Sequence, residues 1–318
     1  MPAISSIGDR MCDVLILGAR SWIGFRLAEA FRVAYPTWNV VGTSTSVTAG
    51  PQSSDRLPQF LVNAVTPSDN HALVHELHPR IVFNLLRGED EQGLDIHRRV
   101  VGACVELGIR YVYASSALAL DGYSSHTILT EDLPSQSISP YGRFKGVCEG
   151  ILGSSYASSD WLILRFASIQ GWSPWKPSRN EAFLRKLADR NSIIVDVGIT
   201  QNRLLDTVFA AAVVDITVNE SCQGIYHLGA DDASEELNYL RSVAQAFGFD
   251  DSLVHAGNSR DLNLRLSCSR LHQATDNRWR RTEAETLNGL LVEPSLQVYQ
   301  QGPPTTHINS SKHRDKFY

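Results

Sequence analysis

The chain has 318 residues, 43% hydrophobic and 20% charged, with a formal net charge of -5 and a pI near 6.1. That length carries one large domain, or a large domain with a smaller one beside it, and the weak negative charge offers no basic field to nucleic acid or anionic lipid. No run approaches the roughly 20 apolar residues of a membrane span, and Met1–Arg10 lack the pattern of a secretory signal. A cytoplasmic protein with neither nucleic acid nor membrane as partner is expected. Five scattered cysteines, Cys12, Cys104, Cys148, Cys222 and Cys268, form no Cys-x-x-Cys pair, which predicts reduced, mostly buried thiols and no metal site.

In chain order, Val14–Leu17 is a continuous apolar run suited to a strand covered on both faces, and it breaks at Gly18 before the helical pattern Ile23, Leu27, Ala28 and Phe31. Strand signatures recur at Asn39–Thr43, Phe60–Val62 and Ile81–Leu86, with helical stretches such as Ala72–Leu77 between them. A helix is predicted from about Asp95 to Leu107, stopped by Gly108 and followed by the strand Tyr111–Ala114. Tyr141 to about Leu152 reads as helix and Trp161–Phe166 as a buried strand. Beyond them come a loop from Trp172 to Ser178, a helix Glu181–Arg190, a short strand Ile193–Val195, a strand Gly224–Leu228 and a helix Glu235–Phe247.

Alternation of this kind predicts an α/β fold: a doubly wound parallel sheet, Rossmann-like, with right-handed crossovers and its ligand at the carboxyl ends of the strands. A smaller C-terminal α+β lobe should cover the substrate. Residues 11–170 are assigned mainly to dinucleotide binding and 171–300 mainly to the substrate lobe, with the chain crossing back near 193–230. Residues 301–318 read as a mobile tail.

Gly18-Ala19-Arg20-Ser21-Trp22-Ile23-Gly24 stands where strand meets helix. There the first glycine makes a tight turn, the last lets helix and strand approach closely, and the amides of the helix start receive a pyrophosphate. With Arg20, Ser21, Trp22 and Ile23 between the glycines, the expected cofactor contacts also include Thr43 and Ser44, Asn63 and Ala64, and Leu85, near the ends of the next three strands, together with Tyr141 and Lys145. The second strand runs into Thr43-Ser44-Thr45-Ser46 with no carboxylate to repel a 2′-phosphate. Arg20 either pairs with that phosphate or is a solvated loop arginine, so NADP is preferred over NAD.

Ser139-Pro140-Tyr141-Gly142-Arg143-Phe144-Lys145 sets Tyr141 and Lys145 four apart on one helical face. A tyrosine is a poor acid or base at neutral pH, and an ammonium one turn away favours its phenolate. About 25 residues earlier, Ala114-Ser115-Ser116-Ala117 follows a buried strand and so opens at the ligand edge. A serine there either hydrogen-bonds a substrate carbonyl beside the tyrosine or caps a turn.

With these three features in order, the chain resembles an extended short-chain dehydrogenase/reductase, and within that group the dTDP-4-dehydrorhamnose reductase branch, the sugar-nucleotide 4-ketoreductases. The resemblance runs from about Asp13 to Leu290. It rests on Ser115–Gly122, Thr130-Glu131-Asp132 with Pro134, Tyr141–Lys145 with Glu149, Leu164-Arg165, and Gly224–Leu228. It implies reduction of a 4-keto nucleotide sugar by NAD(P)H, with Ser116, Tyr141 and Lys145 as the catalytic trio, Lys145 also holding the nicotinamide ribose, and it leaves room for a homodimer. Two segments depart from the branch near the expected nicotinamide and sugar positions: Ala117–Leu120, and Asn84-Leu85-Leu86-Arg87 where small residues are usual. The Asp-Glu pair of the 4,6-dehydratases is missing, which disfavours dehydration.

Ser115, Arg87, Arg203 and Arg265 are candidate substrate contacts, the arginines for a diphosphate, although each reads equally as a surface arginine. Trp172 and Trp175 either stack on a base or sugar or pack in a core. Two other functions share the motif: an NDP-sugar epimerase that retains NAD, and a non-catalytic dinucleotide-binding regulatory subunit, against which the intact trio argues.

Overall fold

A computed structural model describes residues 12–44, 60–63, 66–156, 160–173 and 177–292. Strands β1 (Val14–Leu17), β2 (Val40–Ser44), β3 (Phe60–Asn63), β4 (Ile81–Asn84), β5 (Arg110–Ala114) and β6 (Trp161–Phe166) come from the first half of the chain. Helices α1 (Trp22–Ala34), α2 (Pro67–Leu77), α3 (Glu91–Leu107) and α4 (Pro140–Ser155) connect or follow them. The next elements are β7 (Ser168–Gln170), α5 (Arg179–Ala188), β8 (Ile193–Gln201), β9 (Arg203–Leu205), α6 (Asp206–Val218) and β10 (Gly224–Leu228). The last are β11 (Ser234–Glu235), α7 (Glu236–Ala246), β12 (Val254–Leu264), α8 (Ser269–Ala274) and α9 (Glu283–Val292).

Seven strands form one parallel sheet in the order β10-β6-β5-β4-β1-β2-β3. This is the predicted doubly wound sheet. Strands such as β1 and β4 read as apolar runs because both faces are covered. On one face, α1 and α6 contribute Leu27, Phe31, Phe209 and Val213 to a core with Val14, Ile16 and Phe83. On the other, α2, α3 and α4 pack Val74, Val100, Cys104 and Leu152 against Leu15, Leu17 and Tyr111. Strand order reverses between β1 and β4, so the crevice at their carboxyl ends is the place where a ligand meets backbone from both halves.

The second lobe is built on a three-stranded sheet, β11-β8-β12, in which β8 pairs antiparallel with β11 and parallel with β12. Helices α5, α7 and α9 bury Phe183, Leu184, Leu240, Val243 and Leu290 against it. The short strand expected at 193–195 runs on to Gln201, and β12 and α6, unassigned from sequence, are full elements. All five cysteines are free and buried. Among the described residues, no helix is long and apolar enough to cross a membrane.

Candidate active site

The glycine loop takes the shape the sequence requires. Gly18 adopts φ +84°, and the Ser21 hydroxyl caps α1 by accepting the Gly24 amide at 3.0 Å. A Cβ on Gly24 would lie 2.7 Å from both Ala19 Cα and the Gly18 carbonyl oxygen, so only glycine lets the helix start this close to the strand. Leu85 faces the loop across the crevice: its amide bonds the Leu17 carbonyl at 3.1 Å, and its carbonyl oxygen lies 3.4 Å from where a Gly18 side chain would stand. These residues fit a dinucleotide, since a positive-φ glycine, a helix N-terminus and a side-chain-free approach meet at the topological switch point.

Some side chains assigned to the cofactor have other partners. The Thr43 hydroxyl accepts the Gly18 amide at 3.1 Å and is buried beneath the loop it holds. Trp22 turns its indole N–H to Asp206, 2.7 Å away, and Arg26 donates to the same carboxylate oxygen at 2.7 Å. This ties the start of α1 to the start of α6. Burial pushes the Asp206 carboxyl up, against the pull of Arg26. Ser44 is buried at the end of β2 and Arg20 half-buried in the turn after β1, while Asn63 ends β3. Ala64, Trp175 and the tail 301–318 lie outside the described residues.

The residues expected from sequence to be catalytic stand on two adjoining pieces. Ser116 caps a short 3-10 turn, Ala117–Leu120, its hydroxyl accepting the Leu118 amide at 3.2 Å and keeping its own proton to donate. Ser139 caps α4 through the Gly142 amide at 3.1 Å, with Pro140 at the first helical position. The turn and the helix touch at Gly142, where a Cβ would stand 2.7 Å from the Leu118 carbonyl carbon. Bonds from the Gln136 amide to the Ala119 carbonyl, at 2.9 Å, and from the Ile138 amide to Asp121, at 2.7 Å, stitch the turn to the segment entering α4.

Lys145 is buried and its ammonium donates to the Ala114 carbonyl at 2.8 Å. It stands 4.7 Å from the Tyr113 ring centre and 5.5 Å from that of Tyr141. Burial lowers its pKa to about 8. The phenol of Tyr141 is shifted the other way from the sequence expectation: burial raises it, and the first opposing charge is Arg87 rather than Lys145. The Arg87 guanidinium lies 5.7 Å from the Tyr141 ring centre. A cleft of about 240 Å³ opens beside them, lined by Asn84, Arg87, His97, Tyr113, Phe144 and Cys148.

Residues 14–218 match the model of the NAD dependent epimerase/dehydratase family. The chain belongs to that family. Comparison with curated protein sequences gives no match. Among solved structures, dTDP-glucose 4,6-dehydratase from Bacillus anthracis str. Ames in complex with NAD superposes with a TM-score of 0.75 at 14% identity, over 91% of this chain and 97% of that one. WbmH from Bordetella bronchiseptica in complex with NAD+ gives 0.73 at 18% identity, over 92% and 100%. The dTDP-4-dehydrorhamnose reductase from Bacillus anthracis str. Ames in complex with NADP gives 0.68 at 15% identity, over 88% and 98%. At these identities the likeness is one of fold.

Within this family fold, several expected substrate residues prove structural. The Ser115 hydroxyl donates to Glu149, which is also held by Ser135 and by Arg165 at 2.7 and 3.0 Å. Arg203 is wholly buried: it pairs with Glu236 at 2.6 Å and with Glu283, and stacks 4.1 Å from the Tyr239 ring centre. Trp172 is buried in the lobe core against Phe247. Arg265 is exposed after β12. Of the altered segment Ala117–Leu120, only Leu118 retains exposure, because Ala117 and Leu120 pack against Leu129, Leu264 and Leu266 and Ala119 is fully buried. What sequence reasoning missed is the seat of Arg87 above Tyr141. Its signal was the arginine standing where small residues are usual.

Proposed function

We propose that the protein uses NADPH, or NADH, to reduce a keto group at C4 of a nucleotide-activated 6-deoxy sugar. The observation that carries this reading is that the turn capped by Ser116, Ala117–Leu120, packs at Gly142 against the helix that carries Tyr141 and Lys145, and that this turn holds no carboxylate. A dehydratase must remove and return protons at carbon, and that turn offers no acid or base for the task. The absence of a carboxylate at Thr43 and Ser44, with Arg20 in the loop, supports NADP.

The bound nicotinamide supplies the hydride. Tyr141 gives its hydroxyl proton to the carbonyl oxygen, so that hydride and proton together convert the ketone to an alcohol. Ser116 donates a hydrogen bond to the same oxygen and fixes its position. Lys145, held by the Ala114 carbonyl, keeps positive charge beside the phenol as the proton leaves and would bind the nicotinamide ribose. Incubation with NADPH and a panel of NDP-4-keto-6-deoxy sugars should consume NADPH on at least one, with Tyr141→Phe lowering turnover at least 100-fold, on the scale of general acid catalysis (~10²–10⁴). Full activity in that variant rejects the mechanism. The family match and the NAD-bound neighbours favour a second reading, an NDP-sugar epimerase. Tightly bound NAD in the purified protein, with no net NADPH consumption on any keto sugar, would select it.

A further inference from the structure

Arg87 is the first polar side chain after the β4 end, where Leu85 and Leu86 close the crevice, and its side chain is 79% exposed. Its guanidinium carbon lies 5.7 Å from the Tyr141 ring centre, and the Lys145 nitrogen lies 5.5 Å from the same point. Two cations therefore flank one ring at nearly equal distance. They differ in their other contacts. Lys145 is tied to the Ala114 carbonyl and sits closer to Tyr113 than to Tyr141, whereas the Glu89 carboxylate stands 3.8 Å from Arg87, beyond hydrogen-bond reach.

We propose that Arg87 is a positioning residue for proton transfer: its guanidinium shares with Lys145 the stabilisation of charge on the Tyr141 oxygen as the proton leaves. This rests on the reading of Tyr141 as the proton donor. A cation over the ring is attracted by its quadrupole and favours the phenolate over the phenol. The charged and titratable groups facing Tyr141 are Arg87 and Glu89 from the segment between β4 and α3, Lys145 from its own helix and Tyr113 from β5. Tyr113 stays neutral, since burial pushes its phenol up. Arg87 and Glu89 act in opposite senses on Tyr141, Arg87 the more strongly. The segment that departs from the branch thus acts on the proton donor itself.

The titration itself needs no substrate, and turnover of the NDP-4-keto-6-deoxy sugar panel is followed beside it. The full chain is labelled with 13C at the tyrosine ζ carbon and titrated by NMR, and Tyr141→Phe assigns the resonance. In Arg87→Gln the Tyr141 midpoint moves to higher pH, so that at a fixed pH within the transition the phenolate fraction falls about two- to fivefold, the size of an interaction with a solvent-exposed charge. Arg87→Lys restores most of the fraction, and Glu89→Gln moves the midpoint the opposite way. The other tyrosine resonances report whether the fold is intact. A midpoint in Arg87→Gln equal to that of the unmodified chain overturns the proposal, as does Arg87→Lys behaving like Arg87→Gln. So does an unmoved midpoint accompanied by a raised KM, which would assign Arg87 to an anionic group of the substrate. A shifted midpoint in a protein that reduces no keto sugar supports the role of Arg87 while rejecting the reductase reading.

Discussion

Gly142→Ala tests whether the seam between the Ser116 turn and the catalytic helix sets the geometry of the site. The new Cβ would stand 2.7 Å from the Leu118 carbonyl carbon, and nearer still to its oxygen and to the Ser137 hydroxyl. Carbon atoms in good contact sit about 3.5–4.0 Å apart, so the turn must retreat by roughly an ångström. Overpacking of that kind costs about 1–3 kcal/mol, and the better helix propensity of alanine returns up to about 1 kcal/mol. A net loss of about 1–2 kcal/mol is expected in urea denaturation. The larger effect falls on catalysis, because the same turn carries Ser116, and an error near 1 Å at a reacting centre costs on the order of 100-fold. Gly150→Ala, on the same helix with no neighbour within 4 Å, is the control, and it should gain about 0.5–1 kcal/mol with unchanged turnover. If Gly142→Ala matches the unmodified chain in both stability and keto-sugar turnover, the seam does not position Ser116 and the argument fails.

Two further outcomes follow from buried charge. Arg165→Leu leaves Glu149 uncompensated between Ser115 and Ser135, which should cost about 3–5 kcal/mol in urea unfolding, with much of the loss recovered when Glu149→Leu is added; a double variant as unstable as the single one would contradict this. His97 accepts or shares hydrogen bonds with Tyr111 and Asn84 and meets the Cys148 carbonyl at 3.0 Å, and burial lowers its pKa from 6.5 to about 4. The native state therefore binds that proton less readily than the unfolded chain. The contribution of His97 to stability is complete above pH 6.5 and falls away by about 3 kcal/mol as the pH drops to 4. In His97→Gln the decline of stability between those pH values, followed by urea unfolding, should be shallower by that amount.

The seven-stranded sheet was legible because burial on both faces turns strands such as β1, β4 and β6 into short apolar runs, and the glycines, prolines and serines near their ends mark turns and caps. The elements that escaped had no such pattern. Along β12 the residues from His255 to Asp261 are mostly exposed, so neither a period of two nor an apolar run announces the strand. In α6, eight of thirteen residues are buried, and an almost wholly apolar helix has no polar stripe from which to read 3.6-residue spacing. Such a segment looks the same as a buried strand until its neighbours are known.

The site divides along the same line, between local spacing and contacts made by folding. Tyr141 with Lys145, and Ser139 with Gly142, are separated by a single helical turn, and their placement on one helix and at its cap could be read from the chain. Arg203 could not, because the carboxylates that bury it, Glu236 and Glu283, lie 33 and 80 residues away. The same holds for Trp22, whose partner Asp206 is 184 residues on. The two altered segments also separate once the fold is known. Ala117–Leu120 departs from the branch the sequence resembles by losing polar side chains; Ala117 and Leu120 join a core with Leu129 and Leu266, Leu118 packs against that core, and Ala119 is fully buried. Asn84 likewise faces inward, to Tyr111 and His97. Of the segment Asn84–Arg87, the side chains of Asn84, Leu86 and Arg87 line the cleft, and Arg87 is the exposed one. Arg87 carries the charge among them. The proposed action on the Tyr141 phenol therefore belongs to this arginine, while the turn that differs most from the reductase pattern in sequence is mostly taken up by packing.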